Sequence, residues 1–430
     1  MNKIALIWKT KGLRNKILIM VGLLVLTRIL AHIPIPGVNI ANLRNFFNQN
    51  AFANLLDIFS GGGLSNLSIA MIGVAPYITS SIIIQLLTVI VPRFQEMQKE
   101  EGEAGREKLN QYTRYLTIPL AALQAFGTIR LLQSGTLGSG AGALGAFTPF
   151  QWFTTIFAVT TGTMVMMWLG ELITEYGIGN GISLIIFAGI ISRLPQALDQ
   201  IRLLYFTPYD PSKLPTLLGF AALALITIVG VVVVTEAQRN IPVSYAKKVQ
   251  GTKTYGGIDT HLPLRVNQAG VMPIIFAISV MLFPTFIGNF LLSARSAKLA
   301  HFAQSTVTLF QNQTFYATLY FILVVLFTYF YTAVVFNPED ISENIQKNGG
   351  FIPGIRPGRQ TIEFLYRILN RITTFGAVFL AVIAVLPFLM TKAFGNSQAL
   401  SIGGTGLLIV VAVVIETIKI IEAQMIDYQA

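Results

Sequence analysis

LLGFAALALITIVGVVVV, residues 217–234, crosses the middle of the chain without a single charged side chain. At about 1.5 Å per helical residue such a run reaches about 27 Å, close to the ~30 Å hydrocarbon core of a bilayer. Comparable apolar runs lie at 17–33, 69–91, 116–132, 150–170 and 178–191, and again at 269–292, 315–336, 372–390 and 400–421. Helices are the expected form, because a β-barrel would show short segments of alternating polarity. The predicted fold class is an all-α polytopic membrane protein with about ten transmembrane helices.

Composition points the same way. Of 430 residues, 53% are hydrophobic and 11% charged, whereas ordinary soluble domains carry about 25% charged residues. Cysteine is absent, and His32, His261 and His301 are too scattered to build a disulfide framework or a dense metal cluster, so no metal or cofactor is expected. The formal charge of +11 fits loops facing the cytoplasm and anionic headgroups of the lipid bilayer. With the N-terminus inside, about twenty of the 30 Lys and Arg residues fall in the N-terminal segment and the even-to-odd connections, which places both termini in the cytoplasm. The first apolar stretch runs into His32-Ile33-Pro34-Ile35-Pro36 with no small-residue cleavage pattern, and reads as a retained helix.

Two spans are interrupted. A short apolar stretch at 51–59, ending in Gly61-Gly62-Gly63, is too short to cross and too apolar for an ordinary external loop; it reads as a re-entrant half-helix, which needs protein or a wet cavity around it. The fifth span opens with Gly177-Ile178-Gly179-Asn180-Gly181 and is also short. Interrupted helices point to a central pathway, and about five spans in each half would set the halves in inverted orientation. The divisions expected are an N-terminal half at 1–192, an external hinge loop at 193–213 and a C-terminal half at 214–430. Two long connections, 236–268 and 337–371, exceed the usual inter-helix length of about 2 to 8 residues and suggest binding surfaces.

Ionisable groups within the spans are few. Arg28 can snorkel from the outer end, while Glu416 and Lys419, on one helical face, are placed to pair near the inner end. Uncharged polar groups stand out more: Thr79, Ser80, Ser81 and Gln85 in the second span, Asn180 at the fifth, Asn267 and Gln268 before the seventh. Interhelical bonds of this type contribute about 0.6 to 2 kcal/mol and can hold helices together reversibly. Metalloprotease, nucleophile-elbow and Walker A patterns are missing, and Gly140, Gly142 and Gly145 lack the βαβ context of a dinucleotide site. The chain is therefore not expected to be an enzyme, and energy would come from a partner.

Collinear stretches along nearly the whole chain resemble one family. They are Ile35-Pro36-Gly37, Phe59-Ser60-Gly61-Gly62, Pro76-Tyr77-Ile78, Gln85-Leu86-Leu87, Trp168-Leu169-Gly170-Glu171, Gly177-Ile178-Gly179-Asn180-Gly181-Ile182-Ser183, Tyr245-Ala246-Lys247, His261-Leu262-Pro263-Leu264, Phe336-Asn337-Pro338, Pro353-Gly354-Ile355-Arg356-Pro357-Gly358 and Gly403-Gly404-Thr405. Together they are similar to the bacterial SecY family, the pore subunits of the Sec protein translocase. Val74, where isoleucine is frequent, and Pro242 in the first long loop depart from the pattern.

The resemblance implies two pseudo-symmetric inverted halves around a hydrophobic constriction formed by Val74, Ile78, Ile182, Ile186, Ile275 and Ile409. A re-entrant plug at about 56–67 would include Leu56, Phe59, Gly61, Gly62 and Leu64. Thr79, Ser80, Ile83 and Phe283 would border a lateral gate, with Gln85, Asn180 and Asn267 as its polar cluster. Lys247, Lys248, Lys253 and Arg356 would face docking partners. The implied function is conduction of unfolded secretory polypeptides across the bacterial plasma (inner) membrane, with sideways release of transmembrane segments. The implied partners are SecE-like and SecG-like small membrane subunits, the SecA motor, the ribosome, signal sequences and nascent chains. A secondary transporter of a small solute is the alternative; it would share inverted repeats but needs an ion-coupling carboxylate near the midplane, and none is apparent.

Overall fold

The computed structural model describes residues 10–35, 60, 62–99, 101–134, 147–196, 198–199, 202, 214–245, 248–250, 253–255, 259–291, 297–394 and 405–427. Each of the ten predicted spans coincides with a helix. The first half contains α1 Lys11–Leu30, α2 Ala75–Ile90, the short α3 Pro92–Lys99, α4 Gly102–Ser134, α5 Pro149–Tyr176 and α6 Gly181–Ile191. The second contains α7 Leu214–Glu236, α8 Met272–Leu291, α9 Ala297–Gln311, α10 Gln313–Val335, α11 Pro338–Lys347, α12 Arg359–Phe394 and α13 Thr405–Asp427.

Side chains at the helix starts set several of these boundaries. Thr148 and Gln151 form a reciprocal capping box at α5, and Asn180, Asn312 and Asn337 accept from the first free N–H groups of α6, α10 and α11. The second span begins later than position 69, because Gly73 turns the chain at φ 60° and Pro76 suits only the first helical turn. Residues 62–74 instead form successive turns, and Ser68 pairs with Pro34 just beyond α1. α3 then bends away from α2 by 100°.

By length and composition, four helical stretches among the described residues suffice to cross a membrane: Pro149–Tyr176, Leu217–Glu236, Gln313–Lys347 and Arg359–Leu389. A fifth is added if α2 and α3 count as one bent span. α1, α4 and α13 carry more charge, and α6 is short, so these helices depend on bundle packing. The exterior agrees with lipid: Leu218, Leu225, Ile226, Val229 and Val233 of α7 are all exposed, an apolar surface that water would not tolerate. The expected pairing of Glu416 with Lys419 is not what forms. Lys419 reaches Glu236 at the end of α7, at 2.9 Å, because α7 and α13 pack side by side.

The long connections are ordered. β1 Gln238–Tyr245 and β4 Asp259–Arg265 form an antiparallel pair, with a small hairpin of β2 Lys248–Gln250 and β3 Lys253–Tyr255 between them. β5 Gly350–Phe351, from the second connection, joins the other edge of β1 through Ser244 and Tyr245. Pro242 is tolerated because β5 does not extend to it, so the far edge of β1 is open there. Beneath the sheet, Ile241, Val243 and Leu264 pack with Phe336, Ile345, Ile352 and Leu365.

The halves meet along two seams. On one side α8 packs against α2 and α4; on the other α13 packs against α6 and α1. The largest buried apolar cluster lies between the seams.

Candidate functional site

Glycines bring α5 and α6 together. A Cβ on Gly181 would collide with the Gly170 carbonyl, and one on Gly170 would lie 2.5 Å from the Ile182 side chain. The preceding turn needs Gly179 at φ 80°, and Asn180 caps α6 through Ile182 N at 3.0 Å and Ser183 N at 3.2 Å. Ile182 and Ile186, one turn apart, lie on one side of the helix that this turn starts.

Val74, at the start of α2, and Ile78 lie in the same cluster, with Ile186 from α6, Ile275 from α8 and Ile409 from α13; Ile182 packs against it. The six predicted aliphatics thus lie in or against one buried cluster to which four helices from both halves contribute them. A cavity of about 400 Å³ adjoins three of them. Ile78, Ile182 and Ile275 form its apolar side, while Ser81, Gln85, Asn110, Thr174, Asn180 and Ser183 give it polar walls. Arg114 of α4 and Glu171 of α5 pair at 2.9 Å along the same wall. Among the described residues, Gln85 Oε1 and Ser183 Oγ are buried without a hydrogen-bond partner, leaving acceptor and donor capacity at this wall.

The predicted gate residues divide. Ile83 of α2 and Phe283 of α8 are half-buried. Ser80 donates to the Thr113 carbonyl of α4 at 2.6 Å, tying α2 to α4, whereas Thr79 donates to the Ala75 carbonyl of its own helix at 3.0 Å and meets only a long 3.5 Å approach from Gln124 of α4. Gln85 and Asn180 share the cavity, whereas Asn267 bonds the Gly270 carbonyl at 3.2 Å within its own turn. Gln124 was missed in the sequence reading, although a lone amide in the apolar third span was the available signal.

Of the predicted plug residues, Leu64 is buried against the Leu67 and Met71 cluster of the first half, and Gly62 turns at φ 86°. Leu56, Phe59 and Gly61 lie outside the described residues, as do Lys247 and the glycines at 140, 142 and 145. Lys248 and Lys253 stand in β2 and β3, and their side chains are not described. Arg356 is exposed on the turn before α12, between Gly354 and Gly358, both at positive φ.

Residues 68–418 match the SecY family model. The chain belongs to the SecY family. It is 44% identical over 427 residues to the protein translocase subunit SecY of Streptomyces coelicolor, covering 97% of this chain and 96% of that one. It is 43% identical over 440 residues to the SecY of Corynebacterium glutamicum, covering 99% and 98%. Among solved structures, a protein-conducting channel matches with a TM-score of 0.62 at 18% identity over 98% of this chain and 97% of that one. Sec61 from the canine ribosome-channel complex matches at 0.58, with 17% identity over the same shares. The SecY-family fold therefore extends over nearly the whole chain.

Proposed function

We propose that this chain is the channel subunit of a Sec translocon, conducting unfolded secretory polypeptides across the bacterial plasma membrane and releasing apolar segments sideways into lipid. The observation that carries this reading is one buried apolar cluster that gathers the six aliphatic residues from both halves and adjoins a polar-walled cavity. A narrow apolar collar excludes water and ions when unoccupied, and its side chains can yield around an extended chain. The segment containing Gly62 and Leu64 acts as part of the plug on the far side of the collar.

The halves 1–192 and 214–430 part about the 193–213 connection, opening the seam of α2 and α4 against α8 and α10. Thr79, Ser80, Ile83 and Phe283 border that gate, with Gln85, Asn180 and Asn267 tuning its closure. Release follows from partition: about a dozen Leu-like residues contribute roughly −4 to −7 kcal/mol on insertion scales, outweighing one central Arg at about +3 kcal/mol. The loop sheet and the Arg356 turn lie in the cytoplasm with both termini and receive the SecA motor and the ribosome. Lys247, Lys248 and Lys253 suit phosphates or an acidic partner face. SecE-like and SecG-like subunits complete the assembly.

The test is site-specific photocrosslinking of a stalled secretory chain to position 79 or 283 in the reconstituted complex. Adducts that depend on a functional signal sequence are expected. Transport of a small solute without such adducts would favour a solute carrier instead.

A further inference from the structure

The collar has a mechanical link to the 62–65 turn. Arg193 is the second residue past α6, and its backbone N–H donates to the Ile190 carbonyl at 3.1 Å, so it extends the last turn of that helix. Its guanidinium Nη2 donates to Ser65 Oγ at 3.2 Å, and a Cβ added at Gly62 would lie only 3.6 Å from Nε. Beside it, Arg28 of α1 donates to Ser192 Oγ at 3.0 Å. Two guanidinium groups therefore meet at one end of α6; burial, then the Arg28 charge, hold Arg193 below the usual arginine pKa. Along the same helix Ile186 precedes Arg193 by seven positions, about 10 Å at ~1.5 Å per residue.

The other described anchors of this segment lie elsewhere in the first half. Ile35 N donates to the Leu67 carbonyl at 2.8 Å, and Ile69 N to the Ile33 carbonyl at 3.1 Å. Leu64 and Leu67 pack with Ala125, Ile129 and Val159 of α4 and α5. A shift of α6 would leave these contacts in place while moving the guanidinium away from Ser65.

We propose that Arg193 ties the 62–65 turn to α6, so that widening of the collar at Ile182 and Ile186 loosens the seat of that turn. The proposal rests on reading α6 as a wall of the conducting path. Arg193 is a positioning residue, and the Arg28 charge beside it favours its departure once the Ser65 bond is lost.

The chain has no cysteine, so Ser68→Cys, at a position fully buried at rest, provides a clean probe in reconstituted vesicles exposed on both sides to a maleimide. Arg193→Ala is expected to speed labelling about tenfold, Ser65→Ala to act similarly, the double variant to go no further, and Arg193→Lys to recover most of the protection. Resting ion conductance should rise in parallel. Labelling unchanged by Arg193→Ala, or additive effects of the two alanines, would overturn the tie. Labelling requires no translocation: coupled labelling in a chain that exports nothing would support the tie and count against the channel reading.

Discussion

Tyr245 of β1 stands opposite Gly350 of β5, and this register makes one body of two connections far apart in sequence. The glycine is required by space. A Cβ at position 350 would come within 2.9 Å of the Tyr245 ring and 3.1 Å of the Ile345 carbonyl. Gly350→Val is expected to lower the stability of this unit by about 1–3 kcal/mol through overpacking. Limited proteolysis between β1 and β4 should accelerate, although the substitution lies in the other connection. Unchanged cleavage would mean that the two connections fold independently.

The collar predicts a leak. Ile78→Ser or Ile186→Ser places a hydroxyl at a buried position of the apolar cluster, which eases wetting of the proposed constriction. Resting conductance in planar bilayers should rise several-fold over the parent, while Ile78→Val should stay near it. Equal currents from all three would remove these residues from the constriction.

Asn180 has a local duty separable from any role in the gate. Its side chain accepts from Ile182 N and Ser183 N, so Asn180→Ala should cost about 0.5–2 kcal/mol, and Asn180→Ser or Asn180→Asp much less. Thermal unfolding of the detergent-solubilised chain checks this order. If the serine variant is as unstable as alanine, capping is not what the residue contributes.

The backbone at Arg356 is anchored although its side chain is exposed. Thr361 Oγ1 donates to its carbonyl at 3.0 Å, and Gly354 and Gly358 supply the two left-handed turns around it. Arg356→Glu is expected to reduce motor-driven export at least tenfold in reconstituted vesicles, while insertion of membrane proteins falls much less. An equal loss of both would indicate general damage to the loop.

Local chemistry was legible from residue order alone. Inside the stretch expected only as a long connection, Asn337-Pro338 starts a helix, where Asn337 accepts from Glu339 N ahead of α11. The glycine-rich run at 177–181 announces an interruption, and it forms the turn between α5 and α6. The partner of Ser80 was not legible. A hydroxyl in an apolar span can bond its own helix or any neighbour, and its choice of the Thr113 carbonyl follows from the packing of α2 on α4. The same holds for Lys419, whose sequence neighbour Glu416 was the nearer candidate until α7 placed Glu236 beside it.

The order of residues by itself pointed to the membrane setting and the ten apolar helical segments, because span length and charge content are properties of short stretches of chain. Only the tertiary structure gathered aliphatic residues of both halves into one buried cluster, since in an apolar chain nearly every isoleucine qualifies by composition. It also decided that two distant connections share one sheet and that Arg193 reaches Ser65, contacts set by helix packing across more than a hundred residues of sequence.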